Sequence, residues 1–370
     1  MTNNTSEGRT VVDIFESFDT LREPYRDLFE MRRIGSAFFL SLPWFRHLAA
    51  TTSDPKHHLK IYGAKSDSLA RAVLPMCYAT PSFFSLQGNR LTALANFYTP
   101  LFAPITCRPS IEAEPALRLL IQSIAEEVPR WDSIDLHPLD ASDTTLIALE
   151  TALRTAGMAV QRYFCFGNWY LPVNGRSYQE YFTGLPPKLQ HTLTRKSKQL
   201  EQTTRLRIEI IQNEVDLEKS ISAYEEIYRS SWKRPEAFPS FIPELIRLCC
   251  AHKVLRLGIA YIDDRPAAAQ FWIVHNQVAS IYKLAYKEEF SRLSVGSILT
   301  SRLMRHVIDV DRVREVDYLS GDDAYKRDWM SHRRERWGII AFNLRTFRGL
   351  FLALMHLGGR WVKNFFKNPV

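Results

Sequence analysis

The chain has 370 residues, 46% of them hydrophobic and 24% charged, with a formal net charge of +8. At roughly 150 residues per domain this length predicts two domains, and a composition that can bury real cores excludes disorder and coiled coil. Residues 331–370 carry six arginines, two lysines and one glutamate, a net +7, so the remainder is nearly neutral and the charge does not imply a body that binds nucleic acid. The five cysteines (Cys77, Cys107, Cys165, Cys249, Cys250) contain no C-x-x-C pair, which argues against a disulfide framework or a zinc cage. Residues 1–19 are polar, without the apolar run of a signal peptide, and a cytoplasmic location is expected. The apolar run 349–359 is about half the roughly 20 residues that span a bilayer.

In chain order, the periodicity predicts a helix over 15–33 and a short helix after the break at Pro43. A strand–turn–strand follows through 59–63 and 69–76, with further strands at 90–98 and 134–136. Leu117, Leu120, Ile121 and Ile124 mark a helix over 112–130, and Ser142 or Asp143 caps another. The second half reads more regularly. A long basic helix spans 178–204, then come a strand at 206–211 and two helices around 217–227 and 241–248. Strands at 254–262, 267–274 and 278–286 form an antiparallel meander with turns at Asp263-Asp264-Arg265 and His275-Asn276-Gln277. A helix over 297–309, a strand at 314–320, a short helix over 322–330 and a strand at 337–344 complete the order. The fold class is α/β, with mixed sheets flanked by helices. The expected divisions are residues 1–165, 166–345 and a C-terminal helix, 346–370.

The order β-α-α-β-β-β-α-β-α-β resembles that of the GNAT superfamily of acyl-CoA-dependent N-acyltransferases. Phe38-Phe39-Leu40-Ser41-Leu42-Pro43-Trp44, Arg195-Lys196, Ser231-Trp232-Lys233, Ser294-Val295-Gly296 and the run Gly321 to Trp329 are together similar to the cellulose-biosynthesis-associated (CelD/BcsL-type) acetyltransferase family. The resemblance covers roughly residues 35–345 and implies tandem GNAT-like domains, with the better-formed acyl-transfer site in the second. It implies acetyl-CoA or another acyl-CoA as cosubstrate and no metal.

Coenzyme A needs a cradle for its pyrophosphate, which a glycine-containing turn at a helix amino terminus supplies. Ser294, Val295, Gly296 and Ser297 sit at such a junction, with Arg292 as an added cation. Val295 stands where the wider superfamily has a glycine, and Ser297 is also a candidate N-cap. The competing reading is a tight turn before an ordinary helix. The departing thiolate needs an acid, and the resemblance assigns that role to Tyr325, with Asp322 as either a second catalytic group or a helix cap. Lys326 either holds a substrate carboxylate or phosphate or faces water. Trp232, Lys233, Gln270, Trp272, Tyr282 and Tyr286 are candidates for a polar–aromatic acceptor wall, against the alternative that the strand aromatics are core. Arg195–Lys198 either meets a phosphate or is a solvated helix face.

On a helical wheel, residues 345–367 place Arg345, Arg348, Arg360, Lys363 and Lys367 on one face and Phe347, Phe351, Leu354, Trp361 and Phe365 on the other. This suits a helix on an anionic membrane surface or one docked on protein. The expected function is transfer of an acyl group, acetyl by first expectation, from acyl-CoA to an amine or hydroxyl of a small polar or saccharide acceptor in envelope or exopolysaccharide metabolism. The alternatives are a Fem-like peptidyltransferase using aminoacyl-tRNA and a non-catalytic membrane-associated scaffold.

Overall fold

The structure is a computed structural model that describes residues 10–32, 37–52, 56–79, 88–107, 110–203 and 206–356. Along the chain come β1 (Val11–Phe15), α1 (Glu23–Arg32), α2 (Leu42–Thr51), β2 (His57–Ser66), β3 (Leu69–Ala79), β4 (Arg90–Ala93), β5 (Ile105–Thr106), α3 (Ser110–Glu126), β6 (Ser133–Asp140), α4 (Thr144–Thr155) and β7 (Met158–Pro172). Then follow α5 (Tyr178–Thr183), α6 (Pro187–Thr203), β8 (Leu206–Ile211), α7 (Leu217–Arg229), α8 (Phe241–Ala251), β9 (Leu255–Ile262), β10 (Arg265–His275) and β11 (Val278–Tyr286). The series ends with α9 (Val295–Arg305), β12 (Glu315–Asp317), α10 (Lys326–Trp329), β13 (His332–Asn343) and a helix over 347–356.

Local chemistry accounts for many of these boundaries. Ser41 Oγ accepts the Trp44 N–H at 3.3 Å and Pro43 stands in the first turn of α2, where its missing donor is not needed. Asp143 accepts the Thr145 N–H at 2.8 Å to start α4, and Ser177 with Glu180 forms a capping box on α5. The β2–β3, β9–β10 and β10–β11 hairpins turn on Asp67-Ser68, Asp263-Asp264 and Asn276-Gln277, each pair with both φ positive, as a two-residue turn matching strand twist requires. The single helix expected over 178–204 is two, because Gly184 and Pro186-Pro187 end one and start the next. The helix expected from residue 15 begins at Glu23, and Val11–Phe15 is instead a strand paired with Ile61–Lys65.

The chain divides into unit 1, residues 1–165 with 335–370, and unit 2, residues 166–334. Unit 1 orders its strands β1-β2-β3-β4-β6-β13, with β5 on β3, and its β4–β6 pair is parallel. Its core holds the fully buried Tyr25, Trp44, Phe45, Tyr62 and Phe102. Tyr25 lies so close to Gly63 that a Cβ there would come within 2.5 Å of its ring, so this strand position must be glycine. Unit 2 orders its strands β7-β12-β11-β10-β9-β8, with β11–β12 parallel and the other pairs antiparallel. Its core centres on Trp272, Leu299, Leu303 and Val316, where α9 packs on the sheet.

The two units share one succession, with the two-residue β5 an addition in unit 1: strand, two helices, three strands, helix, strand, helix. The last strand of each comes from elsewhere in the chain. Residues 170–172 of β7, which follow unit 1's last helix of that succession, pair with β12 in unit 2. Arg336–Phe342 of β13, which follow α10, pair with β6 in unit 1. By contacts the second unit ends at Arg334, and residues 335–370 belong with unit 1.

The helix over 347–356 packs on unit 1 through its small side. Ala353 is buried, a Cβ on Gly349 would meet Asn343 O at 2.2 Å, and the His356 ring lies 5.0 Å from that of Phe342. Its large residues point outward, with Phe347 87%, Leu354 66% and Met355 61% exposed. Arg360, Trp361, Lys363, Phe365 and Lys367 lie outside the described residues. No described helix is long and apolar enough to cross a membrane.

Candidate active site

The site of unit 2 begins with a pair of strands that part. β11 and β12 run parallel for three residue pairs, Val278–Ser280 beside Glu315–Asp317. There β12 stops, and Tyr318 turns its N–H to Trp169 O at 2.9 Å, while β11 continues to Tyr286. On its other side β11 bulges. Phe271 faces Lys283 and Trp272 faces Ile281, so Tyr282 is an extra residue that interrupts the ladder with β10. A seam thus opens beyond Ser280 and Asp317, bordered by backbone of β11.

The first turn of α9 faces the end of β11. Ser294, at φ 56, sets the helix start, and the first intrahelical bond runs from Ile298 N to Ser294 O at 3.1 Å. The N–H groups of Val295, Gly296 and Ser297 therefore have no intrahelical acceptor and form a ready anion site. The cap is Ser294, where the sequence also allowed Ser297. A Cβ on Gly296 would stand 3.3 Å from the Tyr286 ring, so glycine is what lets strand and helix approach. Arg292, in the 3-10 turn before the helix, is exposed.

Gln270 and Trp272, expected on an acceptor wall, are instead sealed in the core. The Gln270 amide donates to Gly296 O at 2.9 Å and to Thr300 Oγ1 at 2.7 Å, and its oxygen accepts the Trp272 indole N–H at 3.0 Å. Every polar atom of that side chain is satisfied by protein, as burial demands. Gln270 acts on the first turn of α9 and touches no open space.

Past β12, the chain carries Tyr325 immediately before α10, a single turn in place of the longer helix expected. Tyr325 is 45% exposed and sets its ring edge-on to the buried Tyr318 at 5.8 Å. Burial, with a smaller push from the Asp323 carboxylate, raises the Tyr325 phenol to about 12, so it stays protonated at neutral pH.

Asp322 is neither a helix cap nor a free acid. Its carboxylate accepts from Arg333 at 2.8 Å and from the Trp169 indole at 2.7 Å, and the Arg333 hydrogen bond holds its pKa below the usual range. Lys326, proposed to face a substrate or water, is buried and donates to Ser320 O at 2.6 Å, with Asp323 at 3.3 Å. It pins the loop that carries Tyr325. Sequence reasoning missed the group beneath this loop, in which buried Asn168 donates to Leu319 O at 2.8 Å and accepts from Arg334 at 2.6 Å. Arg334 also binds Glu315 at 2.8 Å and Asp317. The signal was hidden because Arg334 counted as tail charge.

Trp232 and Tyr286 do come together, with ring centroids 4.4 Å apart. Lys233 lines a cavity of about 390 Å³ between α7 and α8 with Tyr224, Tyr228, Glu236, Pro239 and Ile242. Lys283, the residue after the bulge, reaches Glu236 at 2.7 Å. Among the described residues, no group of three His, Cys, Asp or Glu side chains could hold a metal ion.

Residues 187–327 match the acetyltransferase (GNAT) domain family. The whole chain is similar in fold to FemX, at 9% identity and TM-score 0.62, over 90% of this chain and 98% of that one. It is also similar to a conserved protein of unknown function from Bacteroides thetaiotaomicron (8%, 0.56, 90% and 100%) and to L-PGS from Bacillus licheniformis (10%, 0.52, 91% and 96%). No curated protein matches the sequence. The matched segment contains the meander, α9, the seam and Tyr325, so unit 2 is similar to a GNAT acetyltransferase domain.

Proposed function

We propose that unit 2 transfers an acyl group, acetyl in the simplest case, from acyl-coenzyme A to an amine of a small polar acceptor. The observation that carries this reading is the seam between β11 and β12 beside the free amides of α9. Those amides, at Val295, Gly296 and Ser297, would hold the pyrophosphate, and the thioester would supply the activated acyl group. The acceptor nitrogen attacks the carbonyl carbon directly, so the C–N bond forms as the C–S bond breaks. Backbone N–H groups around the Tyr282 bulge polarise the carbonyl. The Tyr325 phenol gives its proton to the departing sulfur, and the acceptor nitrogen releases one to solvent.

The test is thermal stability with coenzyme A, acetyl-CoA and long-chain acyl-CoA, where a ligand at 100 times its Kd adds about 2.7 kcal/mol. A rise with acetyl-CoA that Gly296→Val abolishes supports the reading. A second donor, an aminoacyl-tRNA, is favoured by the fold likeness to FemX across both units. A rise with aminoacyl-tRNA and none with any thioester would overturn the coenzyme A reading in its favour, and no rise with either would leave a scaffold.

The outward face of the helix over 347–356 adds a location to this proposal, an anionic membrane surface. Residues 345–370 contain three arginines, two lysines and no acid, so this stretch of chain is uniformly cationic. Anionic lipid complements both the charge and the exposed Phe347, Phe351 and Leu354. Cosedimentation with phosphatidylglycerol vesicles, lost in Phe351→Glu and absent with phosphatidylcholine, is the expected result. Equal recovery with both lipids, or with neither, overturns it.

A further inference from the structure

The cavity between α7 and α8 holds a charge imbalance that the transfer mechanism does not use. Glu236 is committed to Lys283 at 2.7 Å. The Lys233 ammonium lies 5.9 Å from the Tyr228 ring and 5.8 Å from its neighbour Trp232. Among the described residues no carboxylate stands within ion-pair distance of it. The charged groups whose fields reach it are Lys283 from β11, Glu236 from its own loop, and Lys326 and Asp323 from the loop of Tyr325. Burial, reinforced by Lys283, lowers its pKa to about 8, the mark of a cation short of a partner.

We propose that this cavity binds an anionic group of the acceptor, a carboxylate or a phosphate, with Lys233 as its counter-ion. The inference rests on the acyltransferase reading of unit 2 and names the class of acceptor that the site takes. A half-buried cation without a counter-ion is costly, and an incoming anion removes that cost while gaining a charge-assisted hydrogen bond. Tyr228 offers an aromatic wall beside it. The position suits an acceptor, because Lys283 joins the cavity to β11 directly after the bulge and Trp232 leads over Tyr286 to Gly296. A volume of about 390 Å³ lies toward the small end of ligand sites, which favours an amino acid or a phosphorylated amino compound over a polymer strand.

The test reads Lys233 directly, without any thioester. The full chain, with its lysines reductively ¹³C-methylated, is titrated by NMR with glutarate and with inorganic phosphate, and the Lys233 resonance is assigned through Lys233→Gln. The expected result is saturable movement of that resonance with at least one anion, together with a rise in its titration midpoint. Lys233→Gln should weaken anion binding at least tenfold, and Tyr325→Phe should leave it unchanged. Glutarate alone identifies a carboxylate acceptor, and phosphate alone a phosphorylated one. No saturable shift with either anion, or equal affinity in Lys233→Gln, overturns the proposal. Failure here with acetyl-CoA still stabilising the protein would leave the acyltransferase reading standing, and the reverse pattern would remove that reading alone.

Discussion

The two units repeat one order of elements and each contains a parallel pair of strands three residues long, yet only one of them leaves that pair open. In unit 1, Arg90–Thr92 run beside Ser133–Asp135. The chain after β4 then closes the space: Leu94 donates to Pro75 O at 3.0 Å, and fully buried Phe102 donates to Pro138 O at 2.7 Å. Asp135, at the end of the parallel pair, is filled by Arg90 and by the Tyr163 hydroxyl at 2.6 Å. In unit 2 the strand on the same side simply continues, bulging at Tyr282 and reaching Gly296 with Tyr286. The same scaffold is thus sealed by a loop in one copy and left as a seam in the other.

The comparison breaks first at the plug. Phe102→Ala removes a fully buried ring and should destabilise the protein by about 3–5 kcal/mol, read by urea denaturation. Acyl transfer per folded molecule should persist at low temperature. A variant that gains coenzyme A binding in unit 1 instead would show that the loop alone separates the two units. In the open seam, Tyr325→Phe should lower the rate of transfer about 10²-fold or more, with little change in binding of acetyl-CoA. An unchanged rate would return the tyrosine to a packing role.

A smaller effect is expected one step behind the site. Gln270→Met keeps the volume but deprives Gly296 O, Thr300 and the Trp272 indole of a partner. An unsatisfied buried group costs about 1–3 kcal/mol. Calorimetry should show that loss, together with weaker stabilisation by acetyl-CoA, because the first turn of α9 is no longer held. Stability lost without any change in acetyl-CoA binding would reduce Gln270 to a core residue.

What could be read in the sequence was local. The meander was legible because Asp263-Asp264 and Asn276-Gln277 punctuate alternating strands, and Asp143 announced its helix. The polar and aromatic mixture of Met158–Pro172 carries no clean period, so β7 does not stand out, and no local pattern tells that β7 pairs with β12 and β13 with β6. At the site, turn and element order are what single out Gly296 and Tyr325 in the sequence. Gln270, Trp272 and Lys326 were misplaced, since exposure depends on what packs above a strand or loop. Arg333, Arg334 and Arg336 counted toward a basic tail, but Asp322, Asp317 and Asp140 neutralise them. The cationic character that remains belongs to residues beyond 344.

The smallest expected effect concerns Asp322. Arg333 holds its carboxyl below the ordinary carboxylate range in the folded protein. A depressed folded pKa contributes stability that is fully present above the unfolded value of about 3.9 and is lost as pH falls through the folded value. Asp322→Asn keeps the shape and an acceptor for the Trp169 indole but removes the charge, so the Tm of the variant should lie below that of the parent at pH 7. The two should converge near pH 3, as the parent's carboxyl takes up its proton. Transfer at pH 7, corrected for folded protein, should change by no more than a few-fold. A loss as large as that of Tyr325→Phe would instead place Asp322 in the chemistry, and the open seam of unit 2 would then need two acidic partners where the structure provides one phenol.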